Sequence, residues 1–105
     1  MPEFVTVGRV DEIPPGTAVR VQWMGEPVAL FNVDGTFYAL SDTCSHAEAS
    51  LSEGFVEGDV VECPLHGARF HVPTGKNLTL PALFPVKRYA VRVCGDAVQV
   101  GGEEP

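Results

Sequence analysis

Residues 17–40 read TAVRVQWMGEPVALFNVDGTFYAL, and this stretch decides the fold class. Runs rich in Val, Phe, Tyr and Thr alternate with turn residues, as short antiparallel strands do. TAVRVQWM and PVALFNV read as one hairpin with its turn at Gly25-Glu26, and Asp34-Gly35 leads into TFYAL as a second hairpin. The device recurs outward from there. FVEGDVVEC places Gly58-Asp59 between two short runs, and RYAVRVCGDAVQV places Gly95-Asp96 between the last two. With 11 Gly and 9 Pro, long helices have little room, and one helical turn over Ala47 to Leu51 is the exception. The expectation is an all-β chain folded as an antiparallel sandwich or barrel.

The chain has 105 residues, enough for a single domain over 1–105 with one modest core. Hydrophobic residues make up 45%, too many for a disordered chain, and no apolar run is long enough to span a bilayer. MPEFVTVGRV lacks the basic start and apolar stretch of a signal peptide, so a cytoplasmic location is expected. The formal charge is −7 and the isoelectric point about 4.7, which argues against nucleic acid as a partner and for a basic protein surface. No Lys or Arg lies between Arg20 and Arg69, whereas Glu26, Asp34, Asp42, Glu48, Glu53, Glu57, Asp59 and Glu62 all do. That interval is either a solvated acidic surface or a steering field.

The interval also holds the chemistry. Residues 44–67 read CSHAEASLSEGFVEGDVVECPLHG, with two of the three cysteines and two of the three histidines. Three cysteines make a poor disulfide framework, and mixed Cys/His pairs point to metal. The pattern is Cys44-x-His46, sixteen residues, then Cys63-x-x-His66. Zinc fits awkwardly, because structural zinc sites pair like ligands at wider spacing. Blue copper needs two His, one Cys and a weak axial ligand, leaving a cysteine over. A nucleophile–base pair does not explain why the arrangement occurs twice. Two sulfide-bridged irons make sense of it: both cysteines serve one iron, both histidines the other, and each loop reaches both.

These residues resemble the Rieske iron–sulfur motif. The likeness extends to LSEG at 51–54, EGDVVECPLHG at 57–67, Phe70, Thr74-Gly75 and the closing PVKRYAVRVCGDAVQV. In size and sequence the chain is similar to the small Rieske ferredoxins of multicomponent bacterial aromatic-ring dioxygenases. The resemblance implies a Rieske-type β-sandwich or barrel with a small cluster-binding subdomain of loops and short strands at about 42–76. It also implies one [2Fe-2S] cluster held by Cys44, His46, Cys63 and His66. Such a protein is a monomeric electron carrier without catalytic residues. It would take single electrons from a flavin-containing reductase and pass them to a terminal oxygenase, in transient, charge-steered encounters.

The chain departs from the respiratory branch of the family. The two loop-locking cysteines of that branch are replaced by Ala49 and Leu65, and its hydroxyl donors by Ala68 and Phe70. Hydrogen bonds to sulfur favour the reduced cluster, so their loss puts the expected potential at the low end, roughly −150 mV. One spare histidine and 105 residues leave no room for a mononuclear-iron domain. Glu48, Ala47, Pro64 and Leu65 are candidate rim residues near His46 and His66. A small Rieske subunit of an assimilatory nitrite reductase and a zinc-stabilised binding module remain alternatives.

Cys94 is expected to face solvent at a hairpin end, and His71 to be a structural or surface residue. Trp23, Phe31, Tyr38, Phe55 and Phe84 read as core or sheet-face packing residues. LPALFP at 80–85 is either a third cluster loop, with Pro81 nearest, or a connector. Gly67 is expected to permit close backbone approach, and Thr74-Gly75 to be a plain turn.

Overall fold

A computed structural model describes residues 4–43, 49–64, 67–79 and 85–104. Nine strands follow in chain order: β1 (Val5–Arg9), β2 (Thr17–Trp23), β3 (Glu26–Val33), β4 (Thr36–Ser41), β5 (Phe55–Glu57), β6 (Val60–Glu62), β7 (Arg69–His71), β8 (Arg88–Cys94) and β9 (Ala97–Glu104). Six of them form an antiparallel sheet in the order β1-β9-β8-β4-β3-β2, and β5-β6-β7 form a second, smaller one. The large sheet curls until its edges, β1 and β2, lie against each other, so it is a nearly closed barrel.

The run Val28-Ala29-Leu30-Phe31 is buried throughout, and its alternation sorts two cores. Val28 and Leu30 of β3, with Phe37 and Ala39 of β4, point into the barrel and meet Ile13, Tyr89, Val98 and Val100. Ala29, Phe31 and Leu40 point the other way and meet Leu51, Val61, Cys63, Ala68, Phe70 and Val72. Because successive strand side chains face opposite sides, two strands supply both cores. The small subdomain therefore packs on the outside of the barrel wall. Burial of Phe31 on one side of that interface and Phe70 on the other is worth about 1.5–3 kcal/mol each relative to exposure.

All four hairpins form, but the first turn sits one residue earlier than the sequence indicates. Trp23 pairs with Glu26, so the turn is Met24-Gly25 and not Gly25-Glu26. Met24 (φ 50°) and Gly25 (φ 82°) both take positive φ, as do Asp34 (φ 52°) and Gly35 (φ 89°), the signature of type I′ turns. This register puts Val19, Val21 and Trp23 on the barrel side together. A second expectation also fails: Phe55 is 68% exposed on edge strand β5 and is not a packing residue. Its neighbour Val56 takes the inward position instead. Phe84 lies outside the described residues. A 3-10 turn occupies Leu51–Glu53, at the end of the expected Ala47–Leu51 turn, whose earlier part lies outside the described residues.

Two glycines weld the subdomain together. A Cβ on Gly54 would lie 2.2 Å from the Glu62 carbonyl oxygen, so only glycine lets the approach to β5 cross β6 this closely. Gly75 has φ 76°, and a Cβ there would lie 2.5 Å from the Val86 carbonyl oxygen. The Val86 N–H donates to the Gly75 carbonyl at 3.0 Å. Thr74-Gly75 is thus more than a plain turn: it ties the subdomain to the segment that enters β8.

Candidate metal centre

Two loops leave the small subdomain, and each is closed at its neck by backbone pairing. Thr43 bridges Ser50, which closes the neck of the first interval, 44–49. Glu62 pairs with Arg69, and the Cys63 N–H donates to the Ala68 carbonyl at 2.7 Å, which closes the neck of the second interval, 63–68. Cys44 directly follows the first neck and Cys63 opens the second. Each loop therefore begins with a thiol, and its histidine follows two or three residues later.

The first neck is built around one buried carboxylate. Asp42 is 2% exposed. Its side chain accepts hydrogen bonds from the Ser50 hydroxyl at 2.6 Å and the Ser52 N–H at 2.9 Å. The Asp42 N–H donates to the Pro27 carbonyl at 3.1 Å, and its carbonyl accepts from the Leu51 N–H at 2.7 Å. Arg20, on the outer face of β2, brings its guanidinium Nε to 3.6 Å from the carboxylate. Sequence reasoning counted Asp42 among solvent-facing acids; it is instead a structural anchor. Nothing in the local sequence marks it, because its partners Arg20, Ser50 and Ser52 come from other segments.

Of the expected ligands, Cys63 is described: it is 1% exposed, packed with Leu51, Val61 and Phe70. Cys44, His46 and His66 lie outside the described residues, as do the rim candidates Ala47, Glu48 and Leu65 and the loop residue Pro81. Pro64 is exposed. Ala68 and Phe70 are fully buried, and Ala49 packs against the same core. Gly67 has φ 72°, while a Cβ there would meet Glu62 Oε2 at an ordinary 3.8 Å. The positive φ alone favours glycine at this position.

His71 is structural, as expected. Its ring nitrogens meet Thr74 Oγ1 at 2.8 Å and Asp59 Oδ2 at 3.0 Å, tying the β5–β6 turn to the 71–75 turn. Cys94 is exposed at the end of β8. The acidic interval proves heterogeneous: Glu62 pairs with Arg69, and Glu26 accepts from the Tyr89 hydroxyl at 3.1 Å. Burial, with the Glu26 carboxylate second, pushes the Tyr89 phenol up to about 12. Among the described residues, Asp34, Glu53 and Glu57 of this interval are exposed and carry no ion pair, so the free negative charge is narrower than the composition indicates.

The donor set suits an iron–sulfur group. Cys63 offers a soft ligand sheltered in an apolar pocket, and the sequence supplies a second thiol and two imidazoles to the same pair of loops. Among the described residues no three of His, Cys, Asp and Glu gather elsewhere in a metal-binding arrangement. No helix among them is long and apolar enough to cross a membrane.

Comparison with known proteins agrees. The Rieske [2Fe-2S] domain family matches residues 3–90. A biphenyl dioxygenase ferredoxin subunit of a Pseudomonas species is 49% identical over 98 residues, covering 92% of this chain and 90% of that protein. A 3-phenylpropionate/cinnamic acid dioxygenase ferredoxin subunit of Shigella flexneri is 52% identical over 87 residues, covering 82% of this chain and 81% of that protein. Among solved structures, a complex of reduced oxygenase and oxidised ferredoxin in carbazole 1,9a-dioxygenase contains a chain 42% identical to this one. The two superpose with a TM-score of 0.91 over 97% of this chain and 95% of that one. The zinc-module reading is thereby set aside, and the nitrite reductase reading loses ground to the relatives named above, which are dioxygenase ferredoxin subunits. The chain belongs to the Rieske [2Fe-2S] family, alongside the ferredoxin subunits of aromatic-ring dioxygenases, and is an electron carrier with one Rieske-type cluster.

Proposed function

We propose that this protein carries single electrons from a flavin-containing reductase to the Rieske centre of a terminal aromatic-ring dioxygenase, with Cys44, His46, Cys63 and His66 as the ligands of its cluster. The observation that supports the ligand set best is the matched pair of loops, each closed at its neck and each opened by a cysteine. When bound, the cluster supplies a one-electron couple whose potential the ligands and their surroundings tune.

The chain's own residues do the rest. Cys44 and Cys63 would serve one iron as thiolates and His46 and His66 the other as neutral imidazoles, each keeping a second ring nitrogen available to solvent or a partner. Ala68 and Phe70 bring no hydroxyl to the site, which keeps the potential low, roughly −150 mV. Pro64, with Ala47, Glu48 and Leu65, forms the rim that partners touch. The protein works as a soluble, cytoplasmic monomer, and the exposed Glu53 and Glu57 beside the subdomain favour encounters with basic partner surfaces.

The test is direct. The purified protein is expected to be red-brown, with equal iron and acid-labile sulfide and a negative midpoint potential. His46→Ala is expected to abolish the spectrum. An unchanged spectrum in that variant overturns the ligand set, and a clearly positive midpoint overturns the low-potential assignment. Electron transfer to a candidate oxygenase that does not slow as ionic strength rises removes the steering argument.

A further inference from the structure

We infer that Arg20 and Asp42 act together as a charge pair at the neck of the first cluster loop, setting the local charge beside the iron–sulfur group as well as holding the loop in place; this rests on the assignment of Cys44 and His46 as ligands. Three observations carry it. Asp42 lies two residues before Cys44 and is 2% exposed, so its negative charge sits inside the protein where solvent screens it least. Its carboxylate is held by the Ser50 hydroxyl and the Ser52 N–H, both from the segment that follows the same loop. Among the described residues, the guanidinium that pairs with it comes from the barrel: Arg20 at 3.6 Å, the last Lys or Arg before an acidic stretch that runs to Arg69.

The two members have separable tasks. Asp42 joins both ends of the loop through its side chain and backbone, which is positioning. Arg20 meets that network at the Asp42 carboxylate, where it offsets the buried negative charge. Placing an uncompensated anion near a redox centre disfavours its reduced form. Losing Arg20 therefore lowers the midpoint potential, and losing the Asp42 charge raises it. Losing both returns the potential toward that of the parent protein, because the pair is close to neutral as a unit.

The experiment uses the full chain carrying its cluster. Iron and sulfide content and the electron paramagnetic resonance spectrum are measured first, then the midpoint potential, for Arg20→Gln, Arg20→Lys, Asp42→Asn and the double variant. Arg20→Gln is expected to shift the oxidised-to-reduced ratio at fixed poise by roughly tenfold toward oxidised, about 59 mV for one electron. Arg20→Lys is expected to leave it nearly unchanged, and the double variant to recover most of the shift. If Arg20→Gln holds a full cluster at the parental potential and changes only the melting temperature, the pair is merely structural and the proposal is overturned, while the ligand assignment stands. Should Asp42→Asn fail to fold, Arg20→Gln against Arg20→Lys decides alone. A parent protein without iron and sulfide removes the ligand reading, and the proposal with it.

Discussion

β3 pairs with β2 through seven consecutive residues and with β4 through six, whereas β5, β6 and β7 are three residues long and pair with one another through three each. The barrel is stabilised by continuous ladders around its own interior. The small subdomain leans its buried side chains on Ala29, Phe31 and Leu40 of the barrel wall, and its segments are tied by Asp42, His71, Gly54 and Gly75. Short sheets of this kind are marginal alone. The division leaves the electron-transfer end on short segments held by a few specific ties, while the barrel carries most of the ordered ladder.

The sharpest way to break this comparison is to empty each core in turn. Phe70→Ala is expected to cost about 3–5 kcal/mol and Leu30→Ala about 2–5 kcal/mol. The losses are expected to differ in kind. Phe70→Ala weakens the subdomain first, so the visible cluster absorbance fades at lower urea than the far-ultraviolet strand signal. Leu30→Ala opens the barrel, and the two signals fall together. If both variants show coincident transitions, the subdomain is not a separate unit of stability.

Two glycines sharpen the point. Gly75 and Gly95 share positive φ, at 76° and 64°, so an alanine at either costs about 1–2 kcal/mol in backbone strain. They differ in surroundings. A Cβ at Gly95 meets nothing within 4 Å, whereas at Gly75 it would collide with the Val86 carbonyl. Gly75→Ala is therefore expected to lose about 2–4 kcal/mol in total, against about 1 kcal/mol for Gly95→Ala. Thermal melts of the two variants check this, and equal losses would show that the tie at Gly75 adds nothing.

Tyr89 tests the barrel side alone. Its phenol is buried against Trp23, with ring centroids 5.5 Å apart, and donates to Glu26. Its value is raised from 10.0 to about 12, so the folded state holds this proton more tightly than the unfolded chain. The contribution is full below pH about 10 and is lost as pH rises toward about 12. Stability measured by urea titration is expected to fall across that window in the parent, and less steeply in Tyr89→Phe. Identical slopes would remove Tyr89 from the account of alkaline unfolding.

How much of this was legible in the sequence follows the same division. The hairpins of the barrel are written in local turn chemistry, Asp34-Gly35 and Gly95-Asp96 above all, and the structure returns them. The first turn was misplaced because Gly25 alone looked sufficient; Met24 accepts positive φ only because the Trp23–Glu26 register fills the barrel. The ligand set Cys44, His46, Cys63 and His66 is a proposal read from residue type, spacing and family resemblance. Asp42 was not, since its role depends on residues ten positions later in the chain and on a strand twenty-two positions earlier. Nor was Phe55: an aromatic in a β-rich run reads as buried, and which face of a three-residue strand meets a core is set by tertiary packing.

Phe55 gives the smallest expected effect and the cleanest contrast. Phe31, Phe70 and Phe55 are one residue type in three settings, with 0%, 0% and 68% of the side chain's residue surface exposed. Phe55 sits across from Glu62 on the outer face of the small sheet, where the Glu62–Arg69 ion pair also lies in the open. Its removal uncovers no core, because Val56 and Val61 hold the inner face. Phe55→Ser is expected to change unfolding free energy by no more than about 0.5 kcal/mol, as surface substitutions do. Urea titration of the cluster-loaded protein measures this beside Phe70→Ala. A loss approaching that of Phe70→Ala would mean the small sheet is stabilised from both faces, and its dependence on the barrel wall would have to be given up.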